Sequence, residues 1–349
     1  MDAPVRQDHP LLSAAQFAPP RWLRNAHVQT VLASAPLRRW LLGRARRAVE
    51  RPTHERLLDC GAGVRLQAWL TRQHAQPVAR GLVVLLHGWE GSARSTYLTG
   101  LAAQLLQAGC DVVRLNLRDH GDTQHLNREL FHSCRLDEVV GAVRAIRAQL
   151  ARAPIALVGF SLGGNFALRV GLRAADDLVR VIAICPVVSP QAGLYGLEHG
   201  PWFYQRYFLH KWRRSLRRKR AAFPQVEWFT RADLRGDLRA LTRTLVLRHT
   251  GFGSLEAYLD GYSIADTRLA GLRVPTTILA AADDPVIPVA DFHALRLPPQ
   301  VELDIATHGG HCGFLGAAFP HSFLERYVTQ RAVRAFAAQA GAGGPGAEA

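Results

Sequence analysis

Lysine is almost missing from this chain: Lys211 and Lys219 are the only two, and the formal net charge of +15 is carried by arginine. An arginine excess spread over the whole length reads as biased composition rather than one binding patch. No recognised nucleic-acid motif accompanies it, so nucleic acid is not an expected partner. Cysteine is sparse. Cys60, Cys110, Cys134, Cys185 and Cys312 form no CxxC pair, which argues against a disulfide framework and for reduced thiols in a cytoplasmic protein. Cys110 and Cys185 stand in apolar runs and read as small core residues. No run of about 18 uncharged apolar residues occurs, so no transmembrane helix is expected. Met1 to Pro10 carries two aspartates and no apolar core, unlike a signal peptide. Metal-ligand spacing such as HExxH is also missing, and neither a metal nor another cofactor is expected.

What the chain does contain is a regular alternation. Its 349 residues suffice for one large α/β domain with an insertion. Leu57–Cys60 and Val64–Leu70 flank Gly61-Ala62-Gly63, a predicted β-hairpin. Gly81–Leu86 is apolar on both faces and ends at His87-Gly88, as suits a central strand of a covered sheet. Strands at Asp111–Leu117, Ile155–Val158 and Leu178–Cys185 then alternate with helical patterns at Tyr97–Ala108, Leu136–Leu150 and Leu162–Ala175. Strands at Val274–Ala281 and Val301–Ile305 close the series. This rhythm predicts βαβ units and a mostly parallel sheet with helices on both faces.

Five segments follow. Residues 1–55 form an N-terminal extension packed on the core, 56–186 and 273–339 the two parts of the core, and 340–349 a disordered Ala/Gly-rich tail. Residues 187–272, which begin after Pro186 and are aromatic and basic, are expected to form a helical cap. Within the extension, Leu37–Val49 is a basic amphipathic stretch interrupted by five arginines, expected to be a helix docked on the domain, with a membrane-surface helix as the alternative. In the cap, seven of the ten residues 211–220 are basic. They read as a solvated helix face, or as a site of attraction for an anionic membrane or an acidic substrate.

One constellation carries chemistry. Gly159-Phe160-Ser161-Leu162-Gly163 is a G-x-S-x-G run with a strand leading in and a helix leading out, the context of a nucleophile elbow. The sharp turn needs small neighbours, which Gly159 and Gly163 supply and Gly164 extends. A serine needs a base oriented by a third group, and in this fold the chain order is serine, acid, histidine. Asp283 and Asp284 follow a late strand. Asp284 directly precedes the turn Pro285-Val286-Ile287-Pro288 and is the favoured acid, with Asp283 placed to cap the turn. His311, flanked by the glycines of His308-Gly309-Gly310-His311, is favoured as base over His308, which would orient the loop. The loop His87-Gly88-Trp89-Glu90-Gly91-Ser92 offers the second half of an oxyanion hole, so the backbone N–H groups of Trp89 and Leu162 are the expected donors, with His87 shaping the loop.

Five segments together resemble the YheT-like branch of the α/β-hydrolases, a family of bacterial esterase-type proteins with eukaryotic membrane-associated relatives. They are Asn25–Thr30, His87–Ser92, Gly159–Asn165, Asp283–Pro285 and His308–Phe314. The resemblance implies the α/β-hydrolase fold, a triad of Ser161, Asp284 and His311, and hydrolysis of a carboxylic ester, either a small molecule or a lipid-like one. The eukaryotic relatives act on lipids. Family members also include candidate acyltransferases carrying an H-x4-D pattern, which His132–Asp137 and His54–Asp59 both fit. An acyltransferase or thioesterase using the same triad is the alternative to the esterase, and a non-catalytic binding protein is a third reading.

Overall fold

The computed structural model describes residues 10–342. Nearly all of residues 1–10, where no signal peptide is expected, and most of the expected disordered tail, 340–349, lie outside the described residues.

Among the described residues the first three α-helices are α1 (Ala26–Ser34), α2 (Pro36–Leu41) and α3 (Gly43–Glu50). Asn25 starts α1 by accepting the N–H groups of His27 and Val28 at 2.9 and 3.1 Å. Pro36 at the first position of α2 needs no hydrogen-bond partner there. The stretch Leu37–Val49 is thus two helices broken at Leu42 rather than one. Arg38, 1% exposed, anchors α2 to the domain through Glu325 at 2.9 Å, and Val49 is fully buried.

The core follows as β1 (Thr53–Asp59), β2 (Arg65–Thr71), β3 (Leu82–Leu86), α4 (Thr96–Gln107), β4 (Asp111–Leu115), α5 (Leu136–Gln149), β5 (Ile155–Phe160), α6 (Leu162–Arg173) and β6 (Arg180–Ile184). The first hairpin strand begins at Thr53, a few residues before the expected segment boundary. Between β6 and the next strand come α7 (Pro190–His199), α8 (Trp202–Ala222), α9 (Leu238–His249) and α10 (Leu255–Asp260). The core resumes with β7 (Thr276–Ala281), α11 (Val289–His293), β8 (Val301–Ala306) and α12 (Phe323–Ala342). Helix α12 reaches into the segment 340–349 that sequence marked as disordered: its last turn packs no glycine run, since the Gly/Pro-rich part starts only beyond Ala342.

The eight strands form one sheet in the order β1-β2-β4-β3-β5-β6-β7-β8. The β1–β2 and β2–β4 pairs are antiparallel and the rest parallel. Strands β3, β4, β5 and β7 are buried at every residue. Helices α5 and α6 pack one face, and α4 and α12 the other. Such coverage explains the continuous apolar runs of the sequence. Helices α7–α10 bury a separate apolar centre that includes Trp212, Leu216, Trp228, Leu241, Leu245 and Tyr258. Among the described residues no helix is long and apolar enough to cross a membrane.

Candidate active site

Parallel strands send their C-terminal ends to one rim of the sheet, where open α/β folds place their ligands. Ser161 lies there, between β5 and α6, at φ 53°, a backbone region costly for any residue but glycine. Its own N–H holds the Ile184 carbonyl at 2.9 Å. The approach of strand to helix is so close that a Cβ on Gly159 would stand 2.0 Å from the Gly163 carbonyl oxygen, and one on Gly163 2.5 Å from that of His87. Both positions therefore admit only glycine.

His311 Nε2 stands 2.9 Å from Ser161 Oγ, and Nδ1 stands 2.8 Å from Asp284 Oδ2. With Nδ1–H donated to the carboxylate, Nε2 is left to accept the serine proton. Asp284 is held by the N–H groups of Val286 and Ile287 at 2.8 and 3.0 Å on its other oxygen. Burial works to lower the His311 pKa, but the Asp284 carboxylate and Cys312 outweigh it and raise it to about 9. Asp283 plays a different part: its carboxylate accepts the Gly310 N–H at 2.9 Å, and its other oxygen lies 3.6 Å from His308 Nδ1. Of the two Asp–His pairs legible in sequence, one reaches the serine and the other braces the loop.

The Trp89 loop crosses beside the serine, so close that a Cβ on Gly88 would lie 3.2 Å from that of Ser161. Among the described residues the N–H groups of Trp89 and Leu162 have no hydrogen-bond acceptor. Their neighbours are engaged: Gly88 N–H with the Tyr97 hydroxyl at 3.0 Å, Glu90 N–H with His120 Nε2 at 3.1 Å. His87 accepts the Leu117 N–H at Nε2, 3.1 Å away, and donates from Nδ1 to the Gly88 carbonyl at 2.8 Å. Burial, with His120 adding to it, pushes its pKa well below the usual value, so it stays neutral and shapes the loop.

Sequence reasoning from spacing missed the support given by the N-terminal helices. Thr30 Oγ1 accepts the His311 N–H at 2.9 Å. Gln29, fully buried, donates to the Leu23 and Leu315 carbonyls at 2.7 and 2.8 Å and accepts the Leu315 N–H at 2.7 Å. Helix α1 thus fixes the histidine loop, and the signal for it was the otherwise unexplained Asn25–Thr30 motif. Asn165, at the end of the serine motif, donates to the Val187 and Tyr262 carbonyls at 2.9 and 2.8 Å, tying α6 to both ends of the cap segment.

Above the serine lies a cavity of about 1070 Å³, lined by Ser161 and His311 below and by aromatic residues of α8, including Phe203, Tyr207 and Phe208, above. Trp89 stacks on Phe208 at 5.2 Å and meets Trp212 edge-on at 5.4 Å. The basic run 211–220 is not one solvated face. Lys219 is 1% exposed, with its ammonium 2.8 Å from Asp119 and 3.1 Å from the Glu129 carbonyl, while Arg213 donates to the Gly236 carbonyl at 2.7 Å. Of the two H-x4-D matches, His54 and Asp59 are exposed on edge strand β1, while His132 lines the wall of the serine cavity and its Asp137 pairs with Arg173 at the surface.

One group with metal-ligand chemistry exists among the described residues: the ligand atoms of Cys185, His311 and Cys312 lie within 4.8 Å of one another. The imidazole in this group already spends one nitrogen on Asp284 and the other on Ser161. All five thiols are unpaired.

The model of the alpha/beta hydrolase fold family matches residues 81–318. The chain is also 30% identical over 329 residues to YheT of Escherichia coli (strain K12), a protein that carries an esterase name, covering 90% of this chain and 92% of the relative. The chain is an α/β hydrolase of the YheT-like branch. This α/β hydrolase is further 31% identical over 256 residues to the pimeloyl-[acyl-carrier protein] methyl ester esterase of Stenotrophomonas maltophilia (strain K279a), covering 70% of this chain and 92% of that one. Among solved structures, the alpha/beta hydrolase GrgF from Penicillium sp. sh18 superposes with a TM-score of 0.54 at 15% identity, over 81% of this chain and 99% of the other. That likeness speaks for the fold alone.

Proposed function

We propose that this α/β hydrolase is a serine hydrolase of carboxylic esters that works through an acyl-enzyme. The observation that carries the reading is the continuous line Ser161 Oγ, His311 Nε2, His311 Nδ1, Asp284 Oδ2, at 2.9 and 2.8 Å, facing two unengaged N–H groups. In the first step Ser161 Oγ bonds to the ester carbonyl carbon while His311 Nε2 takes its proton. The carbonyl oxygen becomes an oxyanion held by the N–H groups of Trp89 and Leu162, each such donor being worth roughly 3–4 kcal/mol of barrier. Asp284 stabilises the imidazolium. The tetrahedral intermediate then breaks its ester C–O bond, and His311 returns the proton to the leaving alcohol. Water repeats the attack on the acyl-serine, with His311 again as base, and releases the acid.

The cavity supports a substrate with an apolar, lipid-like part, since aromatic side chains line it above the serine. Trp22 just before α1, Leu37, Trp40 and Leu41 of α2 and Trp202 at the start of α8 are exposed, and Val31, Pro36 and Arg39 of α1 and α2 line the cavity. Exposed tryptophan and leucine beside arginine support peripheral contact with an anionic membrane, as interfacial surfaces use that mixture. A fluorophosphonate probe is expected to label the wild type and not Ser161→Ala. Labelling of both, or full activity of Ser161→Ala on p-nitrophenyl esters, would overturn the reading. Acyl chains from acetate to palmitate, with and without anionic vesicles, test the lipid part: rates are expected to rise with chain length, and a flat profile would remove it.

A further inference from the structure

A second cavity, of about 490 Å³, opens where residues 128–135 of the core meet the cap between Val226 and Gly251. Its walls carry Arg128, Arg135 and Arg248 together with His132, His249 and Trp228. The single carboxylate in the wall, Glu129, is drawn to Arg118 at 3.2 Å. Arg248 binds Asp233 at 2.8 Å, outside the wall, and Arg135 donates from Nε to the Leu130 carbonyl at 2.7 Å. Arg128 has no partner among the described residues. With Arg248 neutralised by Asp233 and Glu129 paired with Arg118, Arg128 and Arg135 leave the cavity wall positive, which suits an anion.

A second, independent observation points the same way. Trp228 is 6% exposed, and its Nε1–H is buried with no hydrogen-bond partner; His132 Nδ1 is likewise buried and unpaired. An indole N–H can only donate, and leaving such a group unmet is destabilising. Burial, and then Arg135, Arg118 and Arg169, push the His132 pKa down to about 3, so the ring is neutral. The charge of an occupant would therefore meet guanidinium groups, with the ring nitrogens as neutral partners. Several donors from different directions suit a group with three acceptor oxygens better than a two-oxygen carboxylate. Leu130, Val226 and the Trp228 ring supply apolar wall for an organic body.

We propose that the cavity between residues 128–135 and the cap binds the phosphate group of an organic phosphate ester. The site is separate from the serine centre but touches its wall, because His132 lines both cavities. It does not depend on the ester-hydrolase reading and stands or falls by itself.

The test is a titration of the full chain with phenyl phosphate, followed by calorimetry and by the phosphorus resonance of the ligand. Saturable one-to-one binding is expected, weakened about ten-fold in Arg128→Ala and in Trp228→Phe, which keeps an aromatic ring and removes the donor. Arg217→Ala, an equal loss of charge on α8 at a residue that lines neither cavity, is expected to bind like the wild type. Equal thermal midpoints for the variants separate loss of the site from loss of the fold. Vesicles of phosphatidylglycerol form the second arm. Capture lost in Arg128→Ala and Trp228→Phe, without phenyl phosphate binding, assigns the phosphate to a lipid headgroup. The proposal is overturned if neither probe binds saturably, if both cavity variants bind as the wild type does, or if Arg217→Ala weakens binding as much as they do.

Discussion

The floor of the large cavity and its roof are held in different ways. The floor is built by backbone. Ser161, Cys185, Cys312 and Phe314 all have positive φ, and Gly159, Gly163, Gly310 and Gly313 sit where a Cβ would meet a carbonyl oxygen at under 3 Å. The roof is built by side chains: α8 is fastened by Lys219 under it and by stacked aromatic rings beside Trp89. A backbone-built site tolerates few residue types, whereas a packed roof accepts many of similar size. Substitutions should therefore separate the two regions, those in the floor changing rate and those in the roof changing stability.

The largest rate effect is expected at Asp284. Asp284→Asn leaves the shape but removes the charge that fixes the imidazole tautomer, and should lower kcat about 10^4-fold. Asp283→Asn, one residue away, can keep the Gly310 N–H on its amide oxygen and loses only the carboxylate charge beside His308, so it should cost about ten-fold or less. Steady-state kinetics on one p-nitrophenyl ester decides the pair. Equal losses would mean that the two aspartates share the role.

The largest stability effect is expected in the roof. Lys219→Met leaves Asp119 buried without its ammonium partner, and breaking such a pair typically costs about 3–5 kcal/mol. Burial already pushes the Asp119 pKa up while Lys219 holds it down. The variant should unfold at lower denaturant with kcat changed far less than in Asp284→Asn. Pairing it with Asp119→Asn, which tolerates the φ of 59° there and can keep an oxygen on the Phe131 N–H, should recover part of the loss. A Lys219→Met protein as stable as the wild type would show that the roof is held by packing alone.

These two sites also show what the sequence could reveal. Ser161, Asp284 and His311 were legible because each occupies a motif whose spacing the turn geometry dictates, and the strand rhythm was legible because a covered sheet needs unbroken apolar runs. Lys219 was not legible. In a run of seven basic residues nothing local marks the one whose partner, Asp119, lies 100 positions away. Gln29 and Thr30 were half legible: their motif stood out in the resemblance, but periodicity assigns no role to a polar residue whose partner is a loop 281 residues further on. The stretch Leu37–Val49 docks on the domain as expected, through Arg38 buried against Glu325, but as two helices broken at Leu42 rather than one.

A smaller effect is expected where the N-terminal helices meet the floor. Thr30→Val removes the acceptor of the His311 N–H while keeping the shape of the side chain. The loss should be about ten-fold in kcat, with KM nearly unchanged, because the hydrogen bond positions the base and does not touch substrate. Thr30→Ser should restore most of the rate. A change confined to KM would place Thr30 in the pocket wall only.

The smallest effect concerns Glu90, which joins floor and roof. It follows the proposed oxyanion donor Trp89 in the chain, and among the described residues its carboxyl has no hydrogen-bond partner. Burial pushes its pKa up to about 7, with Lys211 of the roof opposing the rise and Asp119 adding to it. Two titrations then run against each other as pH increases. His311, raised to about 9, becomes a competent neutral base, so the rate climbs. Glu90 ionises above about pH 7, and a negative charge beside the donors opposes an oxyanion forming there, so the climb is blunted. Glu90→Gln removes only the second effect. The ratio of kcat/KM for Glu90→Gln to that of the wild type should be near its low-pH value below pH 6 and rise a few-fold between pH 6 and 8. Lys211→Met should shift that rise to higher pH, because the ammonium that lowers the Glu90 pKa is gone. A ratio independent of pH would remove Glu90 from the electrostatics of the floor and leave Lys211 a group of the roof alone.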